Sequence, residues 1–318
     1  MAIEIIEAKS KKDIKRFVNF QFDLYKNDKM WVPPLKTDEV KALLAGYNPS
    51  IRKCDTKIWL AIQDGHIVGR ICGIINHQYI EKKGEKIARF SRLEFIDDRD
   101  VVKCLLETAE NWAKEKGMKG IDGPLGFTNL DHQAMLIEGF EHLPSVASEY
   151  HKPYYKAHLE ALGYEKEMDW IEFRITIPES IQERTEKIAD VVKERSGIYV
   201  KTFSRTKDLM QYGRPLFKLV NESFNDLFSF VPLDDEMIDF YVAKFLPILK
   251  ASFVKLIFDR EDQLVGFIIP VPSLSKAMQK AKGRLYPFGW YHLMKAYKNN
   301  DVIDLMLTGI DPKLQGMG

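Results

Sequence analysis

The sequence predicts an α/β protein built from two similar mixed sheets, each flanked by helices, and three observations carry that prediction. The chain has 318 residues, long for one core and ample for two. Its composition, 45% hydrophobic with 29% charged residues, is that of a globular protein with a substantial interior. Its opening order of strand, capped helix and hairpin returns in the second half.

Taken in order, IEIIEA at residues 3–8 reads as a strand. Ser10 then caps a helix whose apolar positions Ile14, Phe17, Val18, Phe20, Phe22 and Leu24 share a face. The prolines of MWVPPLK mark a turn into a short helix over residues 37–45. KIWLAIQDGHIVGRICGIIN is two apolar runs around Asp64-Gly65, the strongest hairpin signal in the chain. KIARFSRLEFID supplies a further strand, and RDVVKCLLETAENWAKEKG a helix closed by Gly117. A short strand over residues 118–122 runs into the Gly123-Pro124 turn, and YYKAHLEALGYEKEMDWIEFRI gives a helix, a stop at Gly163 and a last strand.

That completes a first domain, residues 1–177. Residues 178–197 form a charged linker helix with few apolar anchors, and residues 198–318 form a second domain. IYVKTFSRTKDLMQYGRPLFKLVNESF repeats the first opening, and SFVKLIFDREDQLVGFIIPVP repeats the hairpin, with Val265-Gly266 standing where Val68-Gly69 stood. On the same correspondence Ile96-Asp97 matches Ile310-Asp311. Between the second hairpin and the strand VIDLMLTGID lies an inserted helix and the aromatic turn Tyr286, Pro287, Phe288, Gly289, Trp290 and Tyr291, which packs across the insertion, lines an acyl or acceptor pocket, or stacks on RNA bases, the last weakened by the neutral charge.

Charge and cysteine usage exclude several classes. A net charge of +1 argues against sustained nucleic-acid binding by bulk charge. Three irregularly spaced cysteines make neither a disulfide framework nor a zinc site, and the seven histidines show no ligand spacing, so no metal is expected. The N-terminus lacks a signal core and no run is long enough to span a bilayer, so a cytoplasmic protein without a membrane partner is expected.

The chemistry concentrates at the end. VIDLMLTGI reads as a buried strand, Asp311-Pro312 ends it, and Gln315-Gly316-Met317-Gly318 follows. Two glycines at that spacing let backbone N–H groups converge without Cβ obstruction, a cradle suited to a phosphate. The loop has neither the GK[ST] of a Walker A loop nor the three glycines of a dinucleotide fold.

The element order followed by (Q/R)GxG resembles the GNAT (GCN5-related N-acetyltransferase) superfamily, with its motif Q/R-x-x-G-x-G/A. The blocks GPLGFTNLDHQAMLIEGFEHLPS, YHKPYYKAHLEALGYEK and GRLYPFGW followed by LTGIDPKLQGMG are similar to a bacterial group of tandem GNAT-like proteins. The resemblance spans nearly the whole chain. It implies acetyl-CoA or another acyl-CoA as cosubstrate, its pantetheine arm paired with the strand at Thr308, Gly309 and Ile310, and its pyrophosphate on the amides of Gln315, Gly316, Met317 and Gly318. It implies a small-molecule amine as acceptor. In the first domain the matching place reads EFIDDRDVVKC, with no glycine and three aspartates that repel pyrophosphate, so that half is expected to bind no coenzyme in the usual way. The motif's last position and the elements after it fall past Gly318, which leads to the expectation of a chain stopping inside a longer fold, with its motif strand exposed as an edge.

For acyl transfer a base is needed. Glu94 and Asp304, on the strands before the two motif positions, are candidates, and each also reads as a satisfied strand carboxylate. TNLDHQ with Glu138, Glu149, Tyr150, His151, Tyr154 and Tyr155 suits a pocket wall, or packs beneath the following helix. Three functions remain open at this level: acyl-CoA dependent N-acyltransfer to an amine, a non-catalytic ligand-binding or scaffold protein, and transfer from an aminoacyl-tRNA.

Overall fold

The computed structural model describes residues 2–178 and 181–316. Its elements in chain order are β1 (Glu4–Glu7), α1 (Lys11–Leu24), α2 (Lys36–Ala42), β2 (Cys54–Gln63), β3 (His66–Asn76), α3 (His77–Lys83), β4 (Ile87–Phe95), α4 (Arg99–Glu115), β5 (Gly120–Asp122), α5 (Tyr154–Ala161), α6 (Ile181–Ser196), β6 (Tyr199–Thr202), α7 (Thr206–Met210), α8 (Gly213–Ser223), α9 (Asp235–Phe245), β7 (Lys255–Phe258), β8 (Leu264–Pro272), α10 (Ser275–Ala281), α11 (Gly289–Lys298) and β9 (Ile303–Ile310). They form two compact units, Met1–Glu167 with Pro272–Val302, and Met168–Val271 with Ile303–Gly318. The inserted helices α10 and α11 therefore belong to the first unit, whereas the sequence reading gave them to the second domain. Their anchors explain it: Gln279 Nε2 donates to Lys29 O and Trp31 O, Ser275 Oγ to Pro144 O, and the Lys36 N–H to Gly283 O.

The first sheet has the order β1-β2-β3-β4-β5, antiparallel from β1 to β4, with β5 parallel to β4. Ser10 starts α1 through a capping box with Asp13, which satisfies two orphan N–H groups at once. The Asp64-Gly65 turn has positive φ at both residues (51° and 78°), the geometry that matches strand twist in a two-residue hairpin. Strand alternation then sorts the core onto two faces. Trp59, Ile71 and Phe90 pack with Val101, Leu105 and Trp112 of α4, while Ile58, Leu60, Cys72 and Ile74 pack with Ile14, Phe17 and Val18 of α1. Gly73 has no side chain because a Cβ there would stand 2.8 Å from the Trp112 ring.

The second sheet repeats the pattern with the order β6-β7-β8-β9. Both hairpins even slip register at the same place: beside the Ala61–Gly69 pair in one, beside the Ile257–Gly266 pair in the other. Asp311 N–H donates to Val265 O and Ser273 N–H to Val302 O, so β9 runs antiparallel to β8. In the first sheet the matching bond runs from Ile96 N–H to Val68 O, so Asp311, not Ile310, is the counterpart of Ile96. The sequence correspondence is one residue out of step.

One other expectation changes. Residues 164–178 form no strand, and Ile171, Phe173, Ile175 and Ile177 are 75% to 82% exposed. Their alternation is strand-like, but no strand pairs with them among the described residues, and alternation without a ladder leaves the backbone uncommitted. The strand VIDLMLTGI is the outer strand β9 among the described residues, with Ile303 and Leu305 more than half exposed. No helix among the described residues is long and apolar enough to cross a membrane.

Candidate functional site

The proposed coenzyme strand and turn lie in the second unit. Because the Asp311 N–H faces β8, the N–H and C=O of the preceding Ile310 face the open side of β9 by strand alternation, and no strand pairs with that side among the described residues. Asp311 caps a single 3-10 turn at Pro312–Leu314, and Gly316 follows at φ 76°, the left-handed region in which a glycine is least strained. Gln315 and Gly316 are exposed, while Met317 and Gly318 lie outside the described residues. Gly309 has a packing reason of its own, since a Cβ would come within 2.5 Å of the Phe267 ring. Asp304 is half-buried on the same strand.

The equivalent place in the first unit is filled. Phe95, the counterpart of Ile310, donates its N–H to Tyr155 Oη at 3.1 Å, and its C=O accepts from Tyr154 Oη at 2.6 Å. The two tyrosines of α5 thus occupy both backbone groups on the side of β4 facing away from β3. The turn beyond is acidic and self-capped: Asp98 accepts from the Asp100 N–H at the start of α4, and Asp97 pairs with His158 at 2.7 Å.

Glu94, one of the two candidate bases, is a buried anchor. Its Oε1 accepts from Gln21 at 3.0 Å and lies 3.6 Å from Arg70 Nη2, and its Oε2 accepts from Tyr25 at 2.7 Å and Tyr155 at 2.6 Å. Burial, then the adjacent carboxylate, pushes both tyrosine hydroxyls well above their usual range, so they remain donors. With three hydrogen-bond donors and the Arg70 guanidinium on its two oxygens and almost no exposure, Glu94 is engaged within the protein on both oxygens. This is the geometry of the satisfied strand carboxylate, the other of the two readings of Glu94, with partners from α1, β3 and α5 that the local sequence does not show.

Above this anchor the first unit holds an open pocket. Trp31, Pro33, Pro144 and Met278 make apolar wall, and Arg92, Glu39, His132 and Glu149 make the polar part. Arg92 sits at φ 51° where the β3–β4 register shifts, a bulge that aims its side chain at Glu39, 3.3 Å away. A non-glycine residue held there is strained, and such positions concentrate at functional sites. His132 Nδ1 lies 2.9 Å from Glu149 Oε1. The Glu149 carboxylate raises His132 to about 9. Burial pushes Glu149 up, but the imidazolium outweighs it and holds the carboxyl at about 2. His151, 4% exposed, accepts the Leu136 N–H on Nδ1, so its Nε2 carries the ring proton.

Of the residues read as pocket wall, His132 of TNLDHQ, Glu149, Tyr150 and His151 line this pocket, Glu138 is not among its lining residues, and Tyr154 and Tyr155 serve the β4 end. Sequence reasoning missed Glu39, Arg70 and Arg92; the available signal was a charge inside an apolar strand, as in IVGRICGII. The aromatic turn is exposed, with Tyr286, Phe288, Trp290 and Tyr291 at 50% to 81%, and lies outside the lining of this pocket.

No family model matches the chain. Among characterised sequences it is similar to protein YghO of Escherichia coli K12, 30% identical over 294 residues that make up 92% of this chain and 74% of that protein. It is also similar to the bacterial ceramide synthase of Caulobacter vibrioides, 25% identical over 98% of this chain and 82% of that protein. Similar solved structures are GNAT acetyltransferases. One is a tandem GNAT protein from the clavulanic acid biosynthesis pathway (TM-score 0.44, 13% identity, 85% of this chain and 74% of that one). Another is a predicted acetyltransferase with acetyl-CoA from Clostridium acetobutylicum (TM-score 0.35, 12% identity, 54% of this chain and 96% of that one).

Proposed function

The chain belongs to the family of Escherichia coli YghO, and within that family we propose that it is an acyl-CoA dependent N-acyltransferase whose second unit holds the coenzyme. The observation that carries the reading is the turn after β9: Asp311 caps a single 3-10 turn, Gln315 and Gly316 follow exposed, and Gly316 stands at φ 76° with open space where a Cβ would be. The equivalent turn of the first unit is acidic, and there the Phe95 N–H and C=O are taken by Tyr155 and Tyr154. A pantetheine arm carries amides that would pair with the outer side of β9 as an added strand does. A pyrophosphate would then sit on the turn amides, where Gly316 leaves the approach free of a Cβ.

The reaction class follows from the acceptor side. The relative named a ceramide synthase makes an amide, and forming an amide from a thioester requires a neutral amine to attack the thioester carbon while the thiolate leaves. The acceptor is therefore an amine, with an amine on a lipid precursor the first class to screen. Asp304 remains the candidate base on this strand.

Calorimetry with acetyl-CoA and with a long-chain acyl-CoA, on the protein and on Gly316→Asp, tests the reading. Aspartate tolerates positive φ better than most residues but brings a carboxylate to the pyrophosphate position. Binding that this change weakens by roughly tenfold or more is the expected result. A second reading, a non-catalytic ligand-binding protein, is favoured by one observation: the ion-paired pocket is formed wholly by first-unit residues. Absence of coenzyme binding in both proteins would turn the assignment to it.

A further inference from the structure

The inserted segment that walls the first-unit pocket also carries a distinct outer surface. Between Ser275 and Asn300 the sequence has no aspartate or glutamate, while Lys276, Lys280, Lys282, Arg284, Lys295 and Lys298 are all exposed. None of the six is in an ion pair with a carboxylate among the described residues. The whole chain carries a net charge of only +1, so this positive stretch stands against a remainder that is net negative. Around it lie exposed aromatic side chains: Tyr286 at 81%, Phe288 at 69%, Tyr291 at 52% and Trp290 at 50%, with Met294 at 49%.

This surface is rigidly presented. Gly283 and Gly289 are packed inward, Gln279 is bonded to the backbone at Lys29 and Trp31, and the Trp290 indole N–H donates to Pro287 O at 2.9 Å. The aromatic rings therefore point outward from a bolted-down turn, where isolated exposure would otherwise cost free energy with nothing gained. Trp and Tyr beside Lys and Arg on a short helix is the composition of the water–hydrocarbon interface: rings sit at headgroup level and the cations meet anionic phosphates.

We infer that the α10–α11 segment docks the protein on an anionic phospholipid surface, lying on it rather than spanning it. α11 has ten residues, too short to cross a bilayer. A single-stranded nucleic acid would also suit cations interleaved with rings, but that class of site is a groove that tracks a backbone. Here the rings stand on a projecting turn with a methionine beside them, which favours insertion among acyl chains. The inference does not depend on where coenzyme binds.

The test is sedimentation of the full chain with vesicles of phosphatidylglycerol mixed with phosphatidylcholine, beside vesicles of phosphatidylcholine alone. Binding is expected to the anionic vesicles and to fall with added salt. Phe288→Ser with Trp290→Ser, and separately Lys295→Glu with Lys298→Glu, are each expected to lower the partition by roughly tenfold. These side chains are exposed, so thermal midpoints stay close to the wild type, and a variant that unfolds is replaced by Tyr291→Ser, read in the same way. Equal sedimentation of wild type and both variants would overturn the inference. So would no binding to anionic vesicles, or binding to a single-stranded RNA oligonucleotide that is tighter than to vesicles and lost in the same variants.

Discussion

The Tyr155 hydroxyl stands 2.6 Å from Glu94 Oε2 and at the same time accepts the Phe95 N–H at 3.1 Å. One phenol thus ties a buried carboxylate to the end of β4 and closes that strand end against any further partner. The counterpart of Phe95 in the second unit is Ile310, whose N–H and C=O face away from β8.

Tyr155→Phe should cost about 3 kcal/mol of folding stability, because it removes a donor from a buried carboxylate and orphans a buried N–H in one step. Tyr25→Phe should cost less, about 2 kcal/mol, since only the Glu94 bond and a 3.4 Å contact are lost. Urea denaturation of the two single variants and the double variant measures both values and their coupling. Equal costs that add would show that the network is not shared as the geometry states.

Glu94→Gln should lower stability by about 3 kcal/mol while leaving the rate constant of any acyl transfer near that of the wild type, since the carboxylate is an anchor for Arg70, Gln21 and two tyrosines. A large fall in turnover at unchanged stability would restore Glu94 as a base.

The His132–Glu149 pair gives a pH signature. His132 is raised from 6.5 to about 9, so its contribution is fully present below 6.5 and lost as pH rises through 9. Glu149 is lowered from 4.5 to about 2, so its contribution is fully present above 4.5 and lost as pH falls through 2. The stability difference between the wild type and His132→Gln should therefore be greatest between pH 4.5 and 6.5 and decline on both sides. Thermal unfolding across that range measures it, and a difference that grows toward pH 9 would contradict the pairing.

Gly309→Ala should destabilise the protein by about 1–3 kcal/mol without any ligand, because its Cβ would meet the Phe267 ring and Ser223 Oγ. Gly316→Ala, in open space but at φ 76°, should cost about 1 kcal/mol. Thermal midpoints of the two variants separate a packing glycine from a turn glycine.

Much of the fold was legible because its signals are local. Ser10 with Asp13, Asp64-Gly65, and the glycines after α4 and α5 each act on their own few residues, and all stand where the sequence put them. Residues 164–178 show the limit: Ile171, Phe173, Ile175 and Ile177 alternate like a strand, yet a strand exists only through its neighbour. The pocket shows it again. Glu39, Arg70 and Arg92 come from α2, β3 and β4, while His132 and Glu149 share the β5–α5 connection, the part of the wall whose composition announced it. The Arg92 bulge depends on a register that no single strand encodes.

The central claim is that coenzyme pairs with the second unit at Ile310 and not with the first at Phe95. Hydrogen exchange of backbone amides, with and without saturating acetyl-CoA, tests it most directly. The account predicts added protection across residues 308–316, with the Phe95 amide unchanged. Added protection at Phe95 with none at Ile310 would contradict it.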